Sequence, residues 1–146
     1  MAEAISRRMA FELGLHHAEF RSAGTLTRSG APASGGALRA ARRHGLSLDD
    51  HASTVLSKEL VDWADWVFAM GPGHLHQLKL LGGDERAILL GSFAVEGLRE
   101  VDGIDENDLA VPDPFGGDDA VYEETFNILE KYVVSAMNRL VKEVGE

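Results

Sequence analysis

Ile5, Met9 and Leu13 recur at four-residue intervals, the spacing of one helical face, and Gly14 follows them as a stop. Ala18 to Ser22 reads as a short strand running into Ala23-Gly24-Thr25. A second helix is expected with Pro32 in its first turn, Ala33, Ala37, Leu38 and Ala41 inward, and Gly45 closing it. Ser57 suits an N-cap, with Glu59 in the first turn of a helix that reaches about Ala64. The unbroken apolar run Trp66-Val67-Phe68-Ala69-Met70 predicts a strand covered on both faces. Gly71-Pro72-Gly73 breaks that run, His74 to Leu81 is helical, and Ala87-Ile88-Leu89-Leu90 repeats the buried-strand pattern. A loop of about 25 residues then leads to a long helix from about Asp119. Its apolar side carries Val121, Thr125, Ile128, Leu129, Tyr132, Ala136 and Leu140.

Strands alternating with helices predict an α/β class with a doubly wound parallel sheet. Three strands are expected, and the chain as written opens on a helix. In doubly wound folds the first strand lies centrally, and its loop onto the first helix forms the anion site. Here the helix is present and the strand feeding it is missing. A length of 146 residues fits a single domain. No repeat or long linker divides it.

Composition narrows the class of protein. Hydrophobic residues make up 45% and charged residues 26%, as in ordinary globular chains. No apolar run reaches the roughly 18 residues a membrane span requires, and no secretory signal opens the sequence, so a cytoplasmic location is expected. The net charge is −10, and nucleic acid is not an expected partner, since its binding needs a basic face. Arg39, Arg42 and Arg43 cluster on the second helix and read as a solvated face. The chain has no cysteine, which removes disulfides, thiolate metal sites and a thiolate nucleophile from it.

Among polar positions, Val111-Pro112-Asp113-Pro114-Phe115-Gly116-Gly117 stands out. Prolines fix φ on both sides of one carboxylate, and two glycines release the chain just afterwards. A carboxyl held in this way can protonate a leaving oxygen, and an ordinary Asp-Pro turn is an equally open reading. His16, His17, His74 and His76 read as surface residues, while His44 precedes Gly45 and can offset the helix dipole. His74 and His76, two apart on a helix, do not share a face, so they form no metal pair, and neither metal nor cofactor is expected. Trp63 and Trp66 read as core, and Asp105, Glu106 and Asp108 as an acidic loop without a site.

Five stretches then occur in order: Arg21-Ser22-Ala23-Gly24-Thr25, Pro32-Ala33-Ser34, Leu48-Asp49-Asp50-His51, Ala64 through Met70, and Asp113 through Gly117. Together they resemble the low-molecular-weight protein phosphatase family, on its bacterial tyrosine and arginine phosphatase branch. The stretch His51 to Leu60 is more similar to the arginine-phosphatase side. The resemblance implies a phosphorylated protein as substrate and a phosphocysteine intermediate. It assigns Asp113 as general acid, Ser22 and His51 as braces of the phosphate loop, and Phe115 as a wall of the substrate slot. An aromatic wall of tyrosine-directed relatives falls near Arg28, and Gly116 stands in place of a second aromatic. The family opens with a strand and a Cys-x5-Arg-Ser/Thr-Pro loop, then a segment resembling Met1-Ala2-Glu3-Ala4. The chain as written is therefore expected to lack the nucleophile and the phosphate-binding arginine, and to be inactive. Two alternatives stay open, a binding-only pseudophosphatase and an arsenate reductase on the same scaffold. Oligomeric state is not legible.

Overall fold

In the computed structural model, residues 1–25, 28–96 and 106–144 are described. The two apolar runs form β1 (Val67–Ala69) and β2 (Ala87–Leu89), paired in parallel with Phe68 opposite Ile88. Between them runs α4 (Pro72–Leu80), the crossover that parallel strands require. Side chains alternate across the sheet. Phe68, Met70 and Ile88 pack toward one cluster, whereas Val67, Ala69, Ala87 and Leu89 pack toward another. The first cluster holds Ile5 and Ala10 of α1 (Ala2–Glu12), Ala40 of α2 (Gly35–Arg43), and Leu90 and Phe93 of α5 (Leu90–Glu96). Four helices therefore meet there, because α6 (Asp119–Val144) packs Phe126, Leu129, Val133 and Met137 into the same cluster. The second holds Val61 of α3 (Lys58–Trp63) and Leu78 of α4. Helices thus cover both faces of a parallel sheet, the doubly wound α/β arrangement expected of the sequence.

Several local expectations are corrected. Ala18 to Ser22 is not a strand. A strand exists only through a ladder partner, and residues 18–23 have none among the described residues. Its Phe20 carbonyl instead accepts from the Arg7 guanidinium. The chain pairs further on, through isolated bridges of Gly24 with Val55 and Pro32 with Ala52. The described sheet accordingly has two strands rather than three.

Pro32, in that bridge, does not open α2. Ser34 caps the helix, with its hydroxyl accepting from Ala37 N at 3.4 Å. Gly36, Ala40 and Ala41 are the buried positions of α2, while Ala33, Ala37 and Leu38 lie at its margin. Gly45 does close the helix, at φ +76°. The Gly71-Pro72-Gly73 break is the start of α4, with Pro72 in the first turn where its missing N–H costs nothing. The expected long loop after β2 is partly helical, as α5 follows the strand directly and a 3-10 turn spans Glu106–Leu109. Asp105 lies outside the described residues.

Of the expected side of α6, Thr125, Leu129 and Ala136 are buried, and Ile128, Tyr132 and Leu140 pack partly against the cluster, whereas Val121 is 41% exposed; Tyr122, Phe126, Val133 and Met137 widen the buried stripe. Three helices pack around α6, and their positions set its inward side. Trp63 and Trp66 are not core, at 42% and 41% exposed. Arg21 lies over the Trp63 ring at 4.2 Å, and Trp66 packs on Phe68 and Phe93, so each ring keeps one side in solvent. Arg86, just before β2, donates from Nη1 to the carbonyls of Val61, Asp62 and Ala64 at 3.3, 3.0 and 3.1 Å. Its own carbonyl accepts from Val67 N at 2.9 Å.

Candidate active site

Open parallel sheets gather their ligands outside the carboxyl ends of the strands. The Asp113 segment is tied there, since Val111 N donates to the carbonyl of Met70, the residue after β1, at 2.7 Å. Beyond that tether the loop is held by local bonds. Asp113 Oδ1 accepts from Phe115 N at 3.0 Å, an Asx turn, and Gly117 N donates to Pro114 O at 2.8 Å. Gly116 at φ +84° supplies the left-handed residue that this tight reversal needs. The Asp113 side chain is exposed, and Phe115 projects with 83% of its surface in solvent. Apolar surface this open at the rim of a strand end suits contact with another molecule.

A second group forms at the start of α1. Glu3 reaches Ser22 and His51 together: Ser22 Oγ donates to Glu3 Oε1 at 3.4 Å, and His51 Nδ1 lies 3.9 Å from Oε2. The His51 separation is that of an ion pair and exceeds a hydrogen bond. Arg7, one turn along the helix, stands 3.7 Å from the same oxygen. Only 18% of the Glu3 side chain is exposed, so this carboxylate is the hub of the group. Sequence reading did not single out Glu3. Its one signal was an acid in a first helical turn, four residues before an arginine.

Ser22 and His51 are carried by two segments zipped together. Gly24 N donates to Thr54 O at 2.9 Å, and Leu56 N donates to Gly24 O at 3.0 Å. The structure therefore joins Ser22 with His51, and Asp113 with Phe115. Among the described residues no hydrogen bond or ion pair links one pair to the other.

The other candidates have structural partners. His44 does more than face a helix end: its Nε2 meets Glu123 Oε1 at 2.5 Å, and its ring stacks on Phe126 at 4.0 Å. Hydrogen bonds from Arg43 first, and from His44 next, lower the Glu123 carboxyl below its ordinary value. The arginine cluster on α2 is neutralised, with Arg39 on Asp119 at 2.9 Å and Arg42 on Asp49 at 2.7 Å. The Arg42 hydrogen bond lowers Asp49 in turn. His16, His17, His74 and His76 are exposed. Among the described residues no group of His, Asp or Glu could hold a metal, and no helix is long and apolar enough to cross a membrane.

Solved structures share this arrangement of elements. A YwlE mutant from Bacillus subtilis is 28% identical, with a TM-score of 0.80 over 95% of this chain and 87% of that one. The YwlE arginine phosphatase from Geobacillus stearothermophilus is 27% identical, with a TM-score of 0.78 over 97% and 86%. A low molecular weight protein tyrosine phosphatase from T. tengcongensis is 26% identical, with a TM-score of 0.80 over 94% and 88%. No curated protein sequence matches the chain. The model of the low molecular weight phosphotyrosine protein phosphatases matches residues 1–146, and with the strand-end loop and the doubly wound fold in agreement, the chain belongs to that family.

Proposed function

We propose that the chain serves dephosphorylation of protein side chains, phosphoarginine or phosphotyrosine, through a phosphocysteine whose sulfur is supplied from outside residues 1–146. The observation that carries this reading is the Asp113 loop, tethered by Val111 to the end of β1 in a chain matched throughout by the phosphatase family model. In that chemistry a thiolate attacks phosphorus and the bond from phosphorus to the leaving nitrogen or oxygen breaks. Asp113 gives its proton to the leaving atom. The resulting carboxylate then takes a proton from water, which attacks the phosphocysteine and releases phosphate and thiolate. Phe115 flanks the incoming side chain, while Ser22 and His51, joined through Glu3, brace the phosphate-binding segment. Two YwlE relatives named arginine phosphatases, and Gly116 at the position of a family aromatic, favour phosphoarginine.

The absence of cysteine favours a second reading, a phosphoprotein-binding pseudophosphatase. Arsenate reduction on this scaffold needs cysteines too, and the chain holds none. Translation of the coding DNA in frame upstream of Met1 separates the two. An apolar strand followed by Cys-x5-Arg-Ser-Pro supports the enzyme, and an in-frame stop without that segment refutes it. Where the segment exists, Asp113→Asn in the extended chain lowers turnover of a phosphoarginine peptide by about 10²–10⁴-fold. Unchanged turnover removes Asp113 from the role of general acid.

A further inference from the structure

Gly91 is the second residue of α5, and it is not among the glycines held at positive φ. Its backbone therefore does not call for glycine, and within a helix alanine is the better former. What the position requires is the absence of a side chain. A Cβ added there would stand 2.1 Å from the carbonyl oxygen of Leu109, and 3.0 Å from both the carbonyl carbon and the Cβ of that residue. Leu109 ends the 3-10 turn and is buried. Two residues later Val111, also buried, donates its N–H to the Met70 carbonyl at 2.7 Å. The segment that carries Asp113 is thus seated at both strand ends, on Gly91 just past β2 and on Met70 just past β1. Only Pro112 separates the second seat from Asp113, and its ring fixes φ between them.

The α5 side of this contact cannot readily yield. Leu90 and Phe93 lie in the core, and α6 grips the helix by its carbonyls. Arg139 Nη1 donates to Phe93 O at 3.1 Å, and Ser135 Oγ donates to Ala94 O at 2.8 Å. A methyl group on Gly91 therefore displaces the Leu109–Asp113 segment, by about 1 Å or more given ordinary contacts of about 3.5–4.0 Å.

We propose that Gly91 is a positioning residue: by admitting the Leu109 backbone against α5, it sets where the Asp113 carboxyl stands at the strand ends. Asp113 as proton donor rests on the phosphatase reading, whereas the seating of its loop on Gly91 does not. Gly91 has no side chain to meet a substrate and acts only through the loop. Misplacing a reacting group by about 1 Å can cost about 10²-fold in rate.

Two measurements test the assignment. In the 146-residue chain, the NMR scalar coupling across the hydrogen bond from Val111 N to the Met70 carbonyl is lost in Gly91→Ala. The coupling from Val67 N to the Arg86 carbonyl, at the start of the sheet, persists and shows that the fold is intact. In the chain extended upstream through a thiolate-bearing segment, kcat/KM is compared on one sample for phenyl phosphate and 2,4-dinitrophenyl phosphate. The ratio of the two does not depend on the fraction of enzyme folded. Phenolate needs the Asp113 proton as the phosphorus–oxygen bond breaks, whereas dinitrophenolate leaves as a stable anion. Gly91→Ala lowers kcat/KM by about 10²-fold on phenyl phosphate and by less than about tenfold on the dinitrophenyl ester, the pattern of Asp113→Asn. Equal losses on the two esters, or none, overturn the proposal. So does a Val111 coupling that survives in Gly91→Ala, or one lost together with that of Val67. An extended wild type that hydrolyses neither ester refutes the phosphatase reading, and the couplings still decide whether Gly91 seats the loop.

Discussion

Gly36 and Gly35 are neighbours at the start of α2, and a methyl group added to each has opposite consequences. At Gly36 an added Cβ stands 2.3 Å from Tyr122 Cδ2 and 2.4 Å from Cε2. Ordinary carbon contacts lie at about 3.5–4.0 Å, so the ring must retreat by more than about 1 Å. Tyr122 is only 6% exposed, and its hydroxyl accepts from Ser34 Oγ at 3.1 Å, which leaves it little room to move. Overpacking of this kind costs about 1–3 kcal/mol. Strain on the Ser34 hydrogen bond adds about 0.5–1.5 kcal/mol, and the better helix propensity of alanine returns at most about 1 kcal/mol. Gly36→Ala is therefore destabilising by about 1–3 kcal/mol. At Gly35 the added Cβ meets only Arg39 Nη1, the far end of a flexible side chain, at 3.1 Å. Gly35→Ala is neutral or stabilising by a few tenths of a kcal/mol. Urea unfolding followed by the fluorescence of Trp63 and Trp66 gives both values from the midpoint and slope. A Gly36→Ala midpoint at or above wild type would refute the close approach of α2 to Tyr122.

Residues 1–146 on their own are expected to hydrolyse phenyl phosphate and phosphoarginine peptides no faster than buffer, with Asp113→Asn changing nothing, because no thiolate is among them. Trapping of a phosphorylated intermediate on this chain would contradict that. The Glu123 carboxyl, lowered from 4.5 by Arg43 and His44, is held charged more strongly in the folded state than in the unfolded one. Its contribution is thus complete above pH 4.5 and is lost as pH falls through the lower folded value. In urea titrations between pH 2 and 6, the midpoint gap between wild type and Glu123→Gln should narrow on acidification. A gap that widens reverses the sign.

Elements governed by local chemistry were legible from the residues. The Ser57 cap, whose hydroxyl accepts from Leu60 N at 3.2 Å, belongs to this class, as do the apolar runs of β1 and β2. What escaped depends on partners distant in the chain. Residues 18–22 have the apolar content of a strand, but pairing is a property of two segments, and their neighbours begin only at Gly24. Ser34 outcompeted Pro32 for the start of α2 because a side-chain acceptor satisfies an orphan N–H, which proline at that point cannot do. The extra buried positions of α6, Tyr122, Phe126, Val133 and Met137, were missed because they share a core with Ile5, Ala40 and Phe93 of three other helices. Within the candidate site, Asp113 and Phe115 announced themselves through the prolines and glycines around them. Glu3 did not, for its role arises only where Ser22 and His51 are brought to it across the fold.

The Arg86 guanidinium gathers three carbonyls from the end of α3, while its own carbonyl takes the first N–H of β1. That corner behaves as a rivet: helix, strand start and sheet register can shift only together.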